Sequence, residues 1–124
     1  MVHDQSTNLE YRFLPEGPEV HAHEIDAVAD AILHKTSGFV VASGSLPRGA
    51  PADSYVRLAK AAARNGLPFV LDTSRNALKA ALEHGGIHLV KPSQSELESY
   101  AGHELDGAGI EATAKAIIAR GQAR

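Results

Sequence analysis

Three short polar segments hold most of the side chains in this chain that could do chemistry. They are Ser43-Gly44-Ser45-Leu46-Pro47-Arg48-Gly49, Asp72-Thr73-Ser74-Arg75 and Lys91-Pro92-Ser93-Gln94-Ser95-Glu96. Together they supply hydroxyls, cations and two carboxylates, Asp72 and Glu96. That mixture suits a phosphorylated or hydroxyl-rich ligand bound with a divalent metal, because cations and hydroxyls hold phosphoryl oxygens while carboxylates hold the metal.

Each residue also has a purely structural reading. Gly44 and Gly49 serve a tight turn equally well. Their spacing imitates half of a P-loop, but Ala50-Pro51 stands where Lys-Ser or Lys-Thr would be required, which excludes that motif. Asp72 can cap a following helix. Ser93 and Glu96 form the S-x-x-E pattern of a capping box, in which each side chain satisfies an orphan amide at a helix start. For that pair capping is the stronger reading from the residues alone. Lys91, at the end of an apolar run, needs an anionic partner, and an ion pair would meet the need. Of the seven histidines, His21 and His23 are two apart on an expected helix and so should diverge, whereas zinc ligands on one helical face need a spacing of four. His34, His84, His88 and His103 are scattered near helix ends and loops. A zinc site is not expected, and no Ser-His-Asp arrangement can be assembled from spacing.

The elements that must position these segments follow from hydrophobic patterning. Residues 2–4 and 9–14 flank the polar turn Gln5-Ser6-Thr7-Asn8 and read as a hairpin, which Pro15-Glu16-Gly17-Pro18 ends. Helical spacing over 19–35 places Val20, Ile25, Val28, Ala29, Ile32 and Leu33 on one side. A rhythm of apolar strand, polar loop and helix then repeats three times: strands at 39–42, 67–71 and 87–90, helices at 53–65, 76–84 and 93–100, and a last helix over 108–120. Gly66 sits where a helix C-terminal glycine belongs. Strands that are apolar throughout imply parallel βαβ units covered on both faces, so the fold class is α/β. All three polar segments then fall beyond the carboxyl ends of strands, where open parallel sheets gather their ligands.

Composition sets the outer limits. The 124 residues are 44% apolar and 22% charged, which fits one globular domain and excludes a disordered chain. A net charge of −3 without a basic cluster argues against nucleic-acid binding. There is no cysteine, hence no disulfide, thiolate metal site or cysteine nucleophile. No segment has the length or apolarity of a membrane span or signal peptide. The expectation is a soluble, cytoplasmic protein.

Four ordered blocks carry a resemblance: Tyr11-Arg12-Phe13, then Val41-Ala42-Ser43-Gly44-Ser45-Leu46-Pro47-Arg48-Gly49, then Val70-Leu71-Asp72-Thr73-Ser74, then Leu89-Val90-Lys91-Pro92-Ser93-Gln94-Ser95-Glu96-Leu97. In these the chain resembles the PfkB (ribokinase-like) family of carbohydrate kinases, on its phosphofructokinase branch. The resemblance implies part of a ribokinase-like (Rossmann-like) three-layer sandwich over 19–124, preceded over 1–18 by a β-hairpin remnant of the lid and a linker. It also implies transfer of phosphate from ATP, with Mg²⁺, to a hydroxyl of a phosphosugar such as fructose 6-phosphate. Ser45 would contact the sugar phosphate, Lys91 and Ser93 would lie beside the nucleotide, and Glu96 and Asp72 would serve the Mg²⁺ shell. Ser93 stands where the family motif N-x-x-E usually has Asn, so a hydroxyl replaces an amide. The sequence resembles only the middle of the family's chain. The G-A-G-D motif, which supplies the catalytic base and anion hole, does not occur, and no residue here is expected to act as that base.

Two functional readings follow, in this order. The first is a segment of a sugar-phosphate kinase, inactive alone. The second is a non-catalytic binding or interaction module on a kinase-derived scaffold, which could form a homo-oligomer through an exposed sheet edge. A flavodoxin-like domain with loops that match by chance ranks third.

Overall fold

The computed structural model describes residues 2–11 and 17–124. Val2–Asp4 (β1) and Leu9–Tyr11 (β2) pair antiparallel with His3 opposite Glu10, giving the expected hairpin. Asp4 organises its turn: its carboxylate accepts from the Ser6 hydroxyl at 2.7 Å, the Thr7 hydroxyl at 2.8 Å and the Ser6 amide at 2.9 Å. These bonds to the charged form, the Ser6 hydroxyl first, hold the Asp4 carboxyl down at about 2. The remainder of the expected hairpin, 12–14, lies outside the described residues, as do Arg12 and Phe13 of the first resemblance block.

The first helix, Ala22–Leu33 (α1), is shorter than the spacing over 19–35 predicts. Val20 gives its amide to the Arg48 carbonyl at 2.8 Å, and Glu24 accepts the His21 amide at 2.8 Å to start the helix. His21 is therefore the N-cap, in extended backbone, and its ring stacks on His23 at 5.8 Å. This corrects the expectation that the two rings diverge: a residue just outside the helix does not follow helical spacing. The far end of α1 is closed from a distance, because the Asn65 side-chain amide donates to the carbonyls of Leu33 at 2.6 Å, Lys35 at 2.8 Å and Ile32 at 3.2 Å.

Three parallel strands follow in chain order: Val40–Ser43 (β3), Phe69–Asp72 (β4) and Leu89–Val90 (β5), with β4 in the middle. The connecting helices are Ser54–Arg64 (α2) and Arg75–His84 (α3), and Gln94–Ala101 (α4) and Gly107–Ala119 (α5) complete the chain. β4 starts two residues later than expected because the Leu67 amide bonds back to the Ala62 carbonyl at 2.9 Å, closing α2, with Gly66 just beyond its C-cap, Asn65. Successive helices pack side by side, α1 on α2, α2 on α3, α3 on α4 and α4 on α5. The core lies between this layer and one face of the sheet, where Ala42, Phe69 and Leu71 are buried with Ala59, Ala62, Leu78, Leu82 and Ile87.

The described residues leave the other face uncovered. Val41, Val70 and Leu89 are cross-strand neighbours in register, forming an apolar row, and Val41 is 65% and Leu89 51% exposed. Phe39, beside them in the chain, is 66% exposed and meets the His88 ring edge-on at 5.7 Å. The expectation of strands covered on both faces is thus met on one face only among the described residues. Both crossovers, through α2 and α3, return on the same side, so uniform apolarity records two faces while these helices cover one.

Candidate functional site

The carboxyl ends of β3, β4 and β5 lie along one edge, and the three polar segments leave from them. Ser43 and Asp72 are partners in the β3–β4 register, and the ladder continues one step further: the Gly44 amide donates to the Asp72 carbonyl at 2.8 Å. The Gly44 carbonyl then receives two hydroxyls, from Tyr55 and Thr73, each at 2.8 Å. Both residues are buried, and burial pushes the Tyr55 phenol pKa up, with the Thr73 hydroxyl pulling the other way. Every hydrogen-bonding group of the Gly44 peptide unit is therefore committed to the scaffold, which fixes the direction in which Ser45 leaves it.

Gly44 and Gly49 have different reasons to be glycine. Gly44 sits at φ +104 with open space where a Cβ would be. Gly49, at φ +79, has the Val20 carbonyl oxygen 2.6 Å from any Cβ, because the segment before α1 crosses directly over it. The turn reading of Gly49 holds, and close backbone approach adds to it.

A cleft of about 690 Å³ opens above the strand ends, lined by Ser43, Gly44, Ser45, Asp72, Thr73, Ser74, Arg75 and Glu96. Of the residues singled out from sequence, it brings together Ser45, Asp72 and Glu96. Lys91 is 78% exposed and reaches the cleft through Asp72, with Nζ 3.7 Å from Oδ2. This is the anionic partner its position required. The rest of Lys91 borders a separate apolar groove with Val90, Pro92, Leu97 and Ile118. Ser93 does not line the cleft. It is the N-cap of α4, where its amide donates to Glu96 Oε2 at 2.7 Å and its Oγ accepts from the Glu96 amide at 3.4 Å. The capping box is formed, and it leaves Glu96 Oε1 without a capping role.

Two carboxylates in one cleft fit Mg²⁺, which takes one or two protein carboxylates and completes its shell with water and phosphate oxygens. No group of three or more His, Asp or Glu side chains placed to hold a metal occurs among the described residues. Patterning missed Tyr55, which counts as apolar on the face of α2 while its hydroxyl does the work, and gave Thr73 and Arg75 no role. Their place in a strand-end segment was the available signal. A near match to the family's base motif, Gly107-Ala108-Gly109, is followed by Ile110 and opens α5. Its aspartate, Asp106, precedes the glycines and accepts the Gly109 amide at 2.7 Å as an N-cap.

Open parallel α/β sheets bind their ligands at the carboxyl ends of the strands, and here that edge carries hydroxyls, cations and carboxylates. The chain belongs to the pfkB family of carbohydrate kinases, whose signature spans residues 5–124. It is 34% identical over 125 residues to the ATP-dependent 6-phosphofructokinase isozyme 2 of Escherichia coli K12, covering 99% of this chain and 40% of that protein. It is 46% identical over 111 residues to the 1-phosphofructokinase of Xanthomonas campestris pv. campestris, covering 85% of this chain and 35% of the relative. The crystal structure of E. coli phosphofructokinase-2 in complex with fructose-6-phosphate superposes with a TM-score of 0.86 at 33% identity, over 98% of this chain and 41% of that one. The chain thus spans about two fifths of the length of these relatives, and the fold is that of a truncated ribokinase-like α/β domain.

Proposed function

We propose that the chain is the central segment of an ATP-dependent sugar-phosphate kinase, the part that floors the site where a phosphosugar hydroxyl meets the terminal phosphate of ATP. The observation that carries this is the convergence of Ser45, Asp72 and Glu96 on one cleft at the strand ends. Ser45, aimed by the Gly44 peptide, holds the phosphate of a sugar such as fructose 6-phosphate, and Lys91 and Ser93 lie toward the nucleotide. Asp72 and Glu96 hold Mg²⁺ and its waters, and the metal, when bound, neutralises charge on the phosphates. Release of Asp72 from Lys91 would free a cation for the nucleotide and a carboxylate for the metal together. The hairpin, with the linker that follows it to residue 18, belongs to the lid, residues 19–124 belong to the α/β body, and the cytoplasm is where both substrates meet.

In the transfer, the sugar oxygen bonds to the terminal phosphorus, the bridging P–O bond breaks, and the hydroxyl proton must pass to a base. In this reading Asp72 and Glu96 serve the metal and the G-A-G-D motif that would supply the base does not occur in the sequence, so the 124-residue chain binds and positions without turning over. NMR titration of the chain tests this. Fructose 6-phosphate and MgADP should shift amides of residues 43–45, 72–75 and 91–96. Absence of shifts there at the highest soluble ligand concentration would refute the binding claim. Turnover that survives repurification and disappears in Glu96→Gln would refute the inactivity.

The bare row Val41-Val70-Leu89 favours a second reading, a non-catalytic module that associates through this face, with itself or another protein. Sedimentation decides it: a well-folded species that stays monomeric at high concentration would remove the reason for a partner.

A further inference from the structure

Arg75 combines two features that do not go together by default. Its φ is +55, in the left-handed region that side chains other than those of glycine, asparagine and aspartate seldom adopt. It also lines the cleft beside Ser45, Thr73, Ser74, Asp72 and Glu96. Among the described residues its guanidinium has no hydrogen-bond or ion-pair partner, although two carboxylates line the same cleft. Asp72 faces Lys91, and Glu96 is turned to the Ser93 amide. Glycine would relieve the backbone here, so the arginine persists at a cost to the fold. An unpaired, planar, permanent cation at the rim of a hydroxyl-lined cleft matches one chemical class above others, the phosphoryl anion, which its parallel N–H groups can grip bidentately.

We propose that Arg75 is a binding residue for a phosphoryl group in this cleft, and that its strained backbone is retained because it presents the side chain there. This rests on the kinase-segment reading above. The phosphoryl group belongs either to the sugar phosphate or to the nucleotide, and binding experiments separate the two.

Arg75→Gly, Arg75→Ala and Arg75→Lys are titrated calorimetrically with fructose 6-phosphate and with ADP, alongside thermal melts. Arg75→Gly should melt about 3–6 °C above the wild type, through relief of the left-handed strain, and bind a phosphate probe at least about tenfold more weakly, through loss of a charge-assisted contact. Arg75→Ala keeps the strain and should lose binding equally. Arg75→Lys should recover part of it, since the charge returns without the fork. A loss confined to fructose 6-phosphate places the guanidinium on the sugar phosphate; a loss confined to ADP places it on the nucleotide. Unchanged binding of both probes by Arg75→Gly would overturn the proposal while leaving the kinase-segment reading intact. Failure of the wild type to bind either probe would overturn both.

Discussion

Lys91 and Asp72, from the ends of neighbouring strands, face each other at 3.7 Å across the rim of the cleft. Their side chains are 78% and 49% exposed, so water screens the pair and its share of stability is small. Lys91→Met should therefore change the unfolding free energy by less than about 1 kcal/mol, yet weaken ADP binding at least about tenfold if the lysine serves the nucleotide. Urea denaturation and calorimetry give the two numbers. A large loss of stability with unaltered binding would make the pair structural.

Tyr55 and Thr73 share one acceptor, the Gly44 carbonyl. Removing either hydroxyl leaves that oxygen one donor, whereas removing both leaves it with none from side chains. Tyr55→Phe and Thr73→Val should each cost about 1 kcal/mol, and the double variant should cost more than their sum. Hydrogen exchange at Ser45 should accelerate in step. Strict additivity in a denaturation cycle would mean that the two bonds act independently.

Gly49→Ala should be the worse of two matched substitutions. A methyl at Gly49 collides with the Val20 carbonyl and also suffers the left-handed backbone, for a loss of about 2–4 kcal/mol. At Gly44 the space is open and only the backbone term applies, about 1–2 kcal/mol. Equal melting temperatures for the two variants would contradict this geometry.

Glu98 ties α4 to the start of α5. Its Oε1 accepts the Leu105 amide at 3.0 Å and the Gln94 side-chain amide at 2.9 Å, and Gln94 in turn donates to the Leu105 carbonyl at 3.0 Å. These bonds, the Leu105 amide first, lower the Glu98 pKa in the folded chain. A depressed folded value means that this stabilisation is complete above the ordinary glutamate range and is lost as pH falls through the folded value. Stability measured from pH 7 to pH 3 should fall less steeply in Glu98→Gln than in the wild type. Parallel curves would show that Glu98 contributes nothing to the acid limb.

Much of the architecture was legible because strand and helix periods differ so clearly in residues 39–120. All three parallel strands and all five helices stand where patterning puts them, with ends displaced by long-range contacts such as that of Val20 with Arg48. The capping box of Ser93 and Glu96 was legible for the opposite reason, being wholly local. Coverage of the sheet was not. Val41 and Ala42 are equally apolar in sequence, and only the side on which the crossovers return leaves one exposed and the other buried. In the site, Ser45, Asp72 and Glu96 were found because strand ends converge by topology. Tyr55 was missed because a phenol on an apolar helix face reads as core until its partner, eleven residues earlier, is seen.

The order β3-β4-β5 repeats the order of the chain. Each strand meets a neighbour only one helix away in sequence, so the loops that must close are short and contact order is low for a parallel sheet. The cleft draws on all three strand ends, so it cannot be complete until β5 and the start of α4 have joined the sheet.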